Sequence, residues 1–389
     1  MKKKILAITG IRSEYDILYP VIKDLDSDAR FDLRLAVCGT HLSAWHGYTA
    51  SKVESDGFNI TERIAYLSMS DKEIQRSKGV SILVDSLAKA VKRQRPDILL
   101  VVGDREESIA AAIVCNYMNV LFAHIGGGDT VFGNADDPIR FAASKLAHIH
   151  LATSRKSAEN LLNIGEEKFR VFNVGNPGLD NIRMTPVICR RELSRMIGFD
   201  ISGSDYLVFI KHPLSSEVGS AYSQMDISLR ALKKFCLENG LKTVASYPNS
   251  DPGSPDMLKV IKRYGKESFI RFYKTMPRDI FVNLMRNALA LAGNSSMGIL
   301  EAPFYKLPVV NIGNRQKGRF HCGNVEFSGY DIKAIKKALR RACFDRKYRK
   351  RVFSLKNPFG GGRSAQKIKD ILAAIDPKDK KWLVKHKMC

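Results

Sequence analysis

Short β-branched runs alternate with amphipathic stretches from the start of the chain: a strand over 5–9 that turns at Gly10, an apolar-periodic run over 15–25, and a second strand near 33–38. Nearly continuous apolar strands separated by helix-period segments describe a parallel α/β sheet, because helices cover both of its faces. The same reading predicts a helix over 82–92, a strand over 98–102 introduced by Pro96-Asp97, a helix over 108–117, and strands over 120–124 and 171–174. The rhythm lapses between Asn176-Pro177-Gly178 and Pro186, where turn residues cluster. Strands are then predicted over 206–210, 243–246, 288–292 and 309–312, with helices near 225–236, 255–264 and 280–285. Two successive α/β units follow, with no internal repeat of 20 to 50 residues.

Composition narrows the class. The chain has 389 residues, 44% of them hydrophobic, which excludes disorder, a collagen-like repeat and a disulfide miniprotein. No apolar run reaches the ~18 to 20 residues that cross a bilayer, and the run after Lys2-Lys3-Lys4 is too short for a signal-peptide core. Seven scattered cysteines without CxxC spacing fit a reducing, cytoplasmic setting. The net charge of +23 raises nucleic acid, an anionic surface or a phosphorylated ligand as partners. Residues 331–389 carry +14 of it, with 19 Lys+Arg against 5 Asp+Glu, and no RRM, KH, helix-turn-helix or zinc signature accompanies the charge; nucleic acid is therefore not the expected partner.

Candidate chemistry falls at the carboxyl ends of the predicted strands, where ligands of open α/β sheets bind. Gly10-Ile11-Arg12-Ser13-Glu14 opens a helix and offers backbone N–H groups and Arg12 to an anion, without the GxGxxG of a dinucleotide site. Val102-Gly103-Asp104-Arg105 sets an acid and a guanidinium at a strand end, either as a working pair or with Asp104 as a helix cap. His124-Ile125-Gly126-Gly127-Gly128-Asp129 and Asp136-Asp137-Pro138-Ile139-Arg140 add acids on the same edge. Acids held close together have their pKa values driven apart, which supplies a general acid and a general base. A divalent-metal site built on His124, Asp129, Asp136 and Asp137 is the competing reading, although the spacing matches no tight ligand motif. In the second half, Gly293-Asn294-Ser295-Ser296 at a predicted helix start suits a diphosphate. Glu301, farther along that helix, suits a ribose. His212-Pro213, Pro248-Asn249-Ser250-Asp251 and Gly313-Asn314-Arg315 also follow strand ends.

TGIRSEYDIL, CGTHLS, GDREESIAAA, AHIGGGD, DDPIR, KHP, PNSDPGS, GNSSMGILEAP, NIGNRQKGR and NPFGGG occur in order along nearly the whole chain. Together they resemble the UDP-N-acetylglucosamine 2-epimerase family, and within it the hydrolysing branch that serves sialic and legionaminic acid synthesis. The resemblance implies two Rossmann-like domains of the glycosyltransferase-B type, with an active site in the cleft between them. Residues 1–178 would carry the sugar and the catalytic acids, residues 179–362 the nucleotide, and residues 363–389 a C-terminal helix and basic tail packing back on the first domain. It implies no separate cofactor, no resident metal, a nucleotide-sugar substrate and a homodimer. By the same resemblance Asp104, Asp129 and Asp136 perform the acid/base work. Ser295 and Ser296 bind the diphosphate and Glu301 the ribose; Arg12, Arg105, His212 and Arg315 surround the phosphates or sugar. Met276 and Asn249 frame the base, and His41 lies near the sugar. Asp129 stands where the family has Glu, Gly126 where some members have Glu, and Phe141 where a histidine is usual. A glycosyltransferase of the same architecture and a nucleotide-sugar binder without catalysis are the alternative readings.

Overall fold

In the computed structural model, residues 2–44, 47–67, 73–130, 136–249 and 251–385 are described. They fall into two compact units, one formed by the described residues of 2–130, 136–183 and 359–385, the other by those of 184–358. Among the described residues no helix is long and apolar enough to cross a membrane.

The first unit is built on seven parallel strands: β1 (Lys3–Thr9), β2 (Phe31–Cys38), β3 (Ile60–Ile64), β4 (Ile98–Val102), β5 (Leu121–Ile125), β6 (Ile149–Ala152) and β7 (Val171–Asn173), in the order β3-β2-β1-β4-β5-β6-β7. Successive side chains point to opposite faces, so Ile5, Ala7, Ile98 and Leu100 enter one buried cluster while Leu6, Ile8, Leu99 and Val101 enter another. The order reverses between β1 and β4, which makes their carboxyl ends the switch point where such sheets bind ligands.

The last part of the chain completes this unit. Lys3 Nζ donates to the carbonyls of Leu372 at 2.6 Å, Ala373 at 2.9 Å and Ile375. Asp180 accepts the N–H groups of Ser364 at 3.0 Å and Ala365 at 2.8 Å, placing a carboxylate at the start of the helix Ser364–Ala374, where the helix dipole favours it. Fully buried Arg170 donates to the carbonyls of Trp382 and Val384, each at 2.6 Å.

The second unit repeats the plan with six parallel strands: β8 (Tyr206–Ile210), β9 (Lys242–Ser246), β10 (Ile270–Tyr273), β11 (Ala290–Gly293), β12 (Val309–Ile312) and β13 (Val325–Ser328), ordered β10-β9-β8-β11-β12-β13. Its switch point lies between β8 and β11. Apolar runs announce most of the strands, but β3, β6, β10 and β13 interrupt theirs with charged or histidine residues and were not expected from periodicity. In β6 the buried His150 Nε2 lies 2.8 Å from Glu166, so a polar residue sits on a core strand because it has a buried partner.

Candidate active site

At the carboxyl edge of the first sheet, β4 leads through Gly103 and Asp104 to Arg105, the N-cap residue of the helix Glu106–Met118. Asp104 is therefore not the helix cap. Its carboxylate instead takes a hydrogen bond from Arg140 Nη2, and Arg140 Nη1 donates to the Gly126 carbonyl at 3.0 Å and lies 3.8 Å from Asp129. One buried guanidinium thus holds the acids that follow β4 and β5. Burial opposes its charge, but Asp104, Asp129 and Asp137 outweigh that and keep it protonated. Asp129 also accepts from Thr153 Oγ1 at 2.9 Å and from the Ser157 hydroxyl, so several donors fix one rotamer. Asp136 opens the helix Asp136–Leu146, and its side chain lies outside the described residues.

His124 does not turn to the acids. Its Nε2 is 2.7 Å from the Gly103 carbonyl, which can only accept, so the ring proton sits there; Nδ1 is 3.3 Å from Ser144 Oγ. Burial pulls its pKa down to about 4 and keeps it neutral. Among the described residues no three His, Cys, Asp or Glu side chains are grouped to hold a metal ion.

Two further acids lie beneath this edge. Glu14, on the helix Arg12–Asp26, and Glu107, on Glu106–Met118, are both buried. Glu107 Oε1 accepts from the Tyr66 hydroxyl at 2.6 Å, and a Cβ on Gly10 would fall 1.7 Å from that oxygen, so only glycine lets the β1 loop lie against it. Burial, reinforced by the charge of Glu107, drives the Glu14 pKa well up against the pull of Arg105. Burial also raises Glu107, although Tyr66 and Arg105 oppose it. Arg105 remains charged despite burial because Glu14, Glu106 and Glu107 surround it. Arg12, at the first position of its helix, lies 3.9 Å from Asp16.

His41 is buried beside the end of β1, with Nε2 3.0 Å from Thr9 Oγ1 and Nδ1 2.7 Å from Thr49 Oγ1. Both ring nitrogens are occupied, and burial lowers its pKa to about 4.

In the second unit the expected groups gather at the ends of β8, β9, β11 and β12. His212 N–H donates to Asn294 Oδ1 at 2.7 Å, and Asn294 Nδ2 returns a bond to the His212 carbonyl at 2.8 Å, locking the two loops of the switch point together. His212 Nδ1 accepts the Asn249 N–H at 3.0 Å, which leaves the ring proton on Nε2; burial, aided by Arg315, lowers its pKa to about 3. Arg315 reaches the Asn294 carbonyl at 3.4 Å and Asp251 at 3.9 Å. Gly293 is at φ +128°, and a Cβ there would stand 1.9 Å from the Ile210 carbonyl, so the close approach of β11 to β8 demands glycine. Met276 follows β10 on the same edge.

The helix expected to begin at the serines is only one turn long. It spans Met297–Leu300, with Ser296 as its N-cap and Glu301 closing it, so Glu301 ends the turn instead of standing farther along a helix. Ser295 Oγ is 3.4 Å from the Met297 nitrogen. Arg140, Glu14 and Glu107 stand in the quoted segments but received no role from the sequence. A cation inside a helix and two glutamates in first helical turns look like solvated or dipole-compensating residues, and only the glutamates' place just after Gly10 and Gly103, at the ends of β1 and β4, could have singled them out.

Two Rossmann-like sheets, each with polar and charged groups at its switch point, define an α/β nucleotide-ligand protein of the glycosyltransferase-B type. The UDP-N-acetylglucosamine 2-epimerase family model matches residues 23–373, and the chain belongs to that family. It is 31% identical over 375 residues, 96% of this chain and 97% of the relative, to the UDP-N,N'-diacetylbacillosamine 2-epimerase (hydrolyzing) of Legionella pneumophila. It is 29% identical to the GDP/UDP-N,N'-diacetylbacillosamine 2-epimerase (hydrolyzing) of Campylobacter jejuni, over 83% of this chain and 84% of that one. The fold matches the crystal structure of UDP-GlcNAc 2-epimerase from Neisseria meningitidis bound to UDP-GlcNAc with a TM-score of 0.81, at 16% identity, covering 95% and 99% of the two chains.

Proposed function

We propose that this protein is a hydrolysing nucleotide-sugar 2-epimerase, which converts a UDP-linked 2-acetamido sugar and water to the free 2-epimer and UDP. The observation that carries the reading is the Arg140 guanidinium shared between Asp104 and Asp129, which sets two carboxylates at the end of adjacent strands. A carboxylate takes the C2 proton while the C1–O bond breaks and its electron pair leaves with the diphosphate, forming a C1=C2 double bond. Water then adds its hydroxyl to C1, and a proton reaches C2 from the opposite face to the one lost. Asp104, Asp129 and Asp136 are the proposed acids and bases, a role commonly worth ~10² to 10⁴ in rate. Arg315, His212, Ser295 and Ser296 suit the departing diphosphate, whose negative charge they would stabilise, and Glu301 suits a ribose.

The name of the Legionella relative puts UDP-N,N'-diacetylbacillosamine beside UDP-GlcNAc at the head of a substrate panel, with the GDP-linked sugars as further members. The panel is run in deuterated water, following UDP or GDP release, the free sugar, and deuterium at C2. The expected result is stoichiometric nucleotide and free 2-epimer carrying one C2 deuterium, with Asp104→Asn slowed ~10²-fold or more. Release that requires an added acceptor would instead identify a glycosyltransferase, and ligand-induced thermal stabilisation without turnover a binding protein.

A further inference from the structure

Lys211 directly follows β8, beside His212, and its side chain is fully buried. Among the described residues its Nζ meets no carboxylate. It donates to the Ile312 carbonyl at 3.2 Å and the Tyr330 hydroxyl at 3.4 Å, and lies 4.6 Å from the centre of the Tyr330 ring. The Tyr330 hydroxyl donates onward to Gln224 Oε1 at 2.8 Å, and Gln224 Nε2 donates to Glu217 Oε2 at 2.6 Å. The other Glu217 oxygen accepts from Asn314 Nδ2 at 2.8 Å.

Every link from Lys211 to Glu217 therefore points the same way. An ammonium at one end and a carboxylate at the other are joined through a hydroxyl and an amide, each bond polarising the next. The carboxylate end holds Asn314, the neighbour of Arg315, in the loop after β12. We infer that Lys211 is a positioning residue: through Tyr330, Gln224 and Glu217 its ammonium fixes the Asn314–Arg315 turn and so sets the affinity of the site for a nucleoside diphosphate. The ligand in this statement rests on the proposed function, whereas the relay itself does not.

The relay is sensitive to pH near neutrality. Burial pulls the Lys211 pKa down to about 7; Glu217 opposes the fall and Arg315 reinforces it. The other titratable groups alongside are His212, neutral because burial lowers its pKa to about 3, and Tyr330, whose pKa burial raises. Raising the pH through 7 removes the cation that orders the chain of bonds, and the turn loosens.

The test has two readouts on the full chain, on Lys211→Met, and on Tyr330→Phe, which keeps the ring and deletes the middle link should the lysine variant fail to fold. Hydrogen exchange of the 313–319 amides, corrected for the intrinsic pH dependence of exchange and read without ligand, is expected to rise between pH 6.5 and 8.5 in the unaltered chain. In either variant it is expected to be fast at both pH values. Calorimetric titration with UDP is expected to show affinity falling about five- to tenfold over the same interval, the low end of ordinary coupling between sites. Both variants should stay at the weaker value, since the ionisation of UDP is common to all three proteins. An exchange step that persists in both variants, or is absent from the unaltered chain, overturns the inference whatever the enzyme binds. A normal exchange result together with no UDP binding by the unaltered chain overturns the functional reading, and with it the diphosphate role of the relay.

Discussion

Glu107 Oε1 accepts the Tyr66 hydroxyl hydrogen at 2.6 Å, while its Oε2 is buried without a hydrogen-bond partner among the described residues. A carboxyl half-satisfied in this way is better tolerated with its proton on, and burial raises its pKa accordingly. The folded state then binds this proton above the pH at which the unfolded chain, with a glutamate pKa of about 4.3, releases it. Stability from this group is complete below that value and lost as the pH rises through the folded pKa. Glu107→Gln keeps an acceptor for Tyr66 and removes the titration. Urea midpoints measured from pH 5 to 8 are expected to fall less steeply with pH in the variant than in the parent; parallel slopes would refute a raised Glu107.

Arg140 serves Asp104, Asp129 and the Gly126 carbonyl from a side chain that is only 8% exposed. Arg140→Met leaves the acids without their shared cation, and breaking a buried pair from one side costs about 3 to 5 kcal/mol. Arg140→Lys restores charge without the fork that reaches two carboxylates. Denaturant unfolding is expected to rank the parent first, lysine second and methionine last, and nucleotide release to follow the same rank.

The alternation of strands and helices was legible where apolar runs were unbroken, as in Ile98–Val102 and Tyr206–Ile210, because strands buried on both faces must be apolar throughout. It was illegible where polar residues occupy strands by pairing, as His150 does with Glu166, or at a sheet edge, as Glu326 does in β13, where it meets Arg341 at 3.1 Å. For the site, the motif acids sit at strand ends, which sequence alone locates. That Asp104 and Asp129 meet one guanidinium depends on Arg140, 36 residues from Asp104, and the strand register that brings β4 and β5 side by side. His41 makes the same point: of the two threonines that meet its ring nitrogens, Thr9 stands 32 residues away, on a different strand end.

Gly293 joins two strands at the second switch point. Gly293→Ala would place a methyl 1.9 Å from the Ile210 carbonyl at a φ of +128°. The backbone conformation alone costs about 1 to 3 kcal/mol, and the overlap adds to it. The expected outcome is a lowered melting temperature together with loss of UDP binding, checked by calorimetry; a variant that melts and binds like the parent would show that β11 can shift away from β8.

Burial holds the pKa values of His41, His124 and His148 at about 4. Unfolded histidines titrate near ~6.5, so the unfolded chain gains protons first on acidification. Stability contributed by these neutral rings is present above that pH and lost as the pH falls towards 4. His148 Nδ1 accepts the Phe122 N–H at 3.0 Å, a role an amide oxygen can fill. His148→Asn is therefore expected to lose less stability than the parent between pH 7 and pH 5 in denaturant titrations.

The return of the C-terminal segment to the first unit has a consequence for synthesis. A ribosome delivers Met184–Pro358 with all six of its strands before it delivers the helix that covers Lys3 and Asp180 or the carbonyls that Arg170 binds. The half of the protein made first is thus the last to close, and its core waits open while the other half matures. Nascent chains arrested after Pro358, with a linker long enough to clear the ribosome, are expected to yield a protease-resistant second unit and a sensitive first one, and release of the remaining residues to protect both.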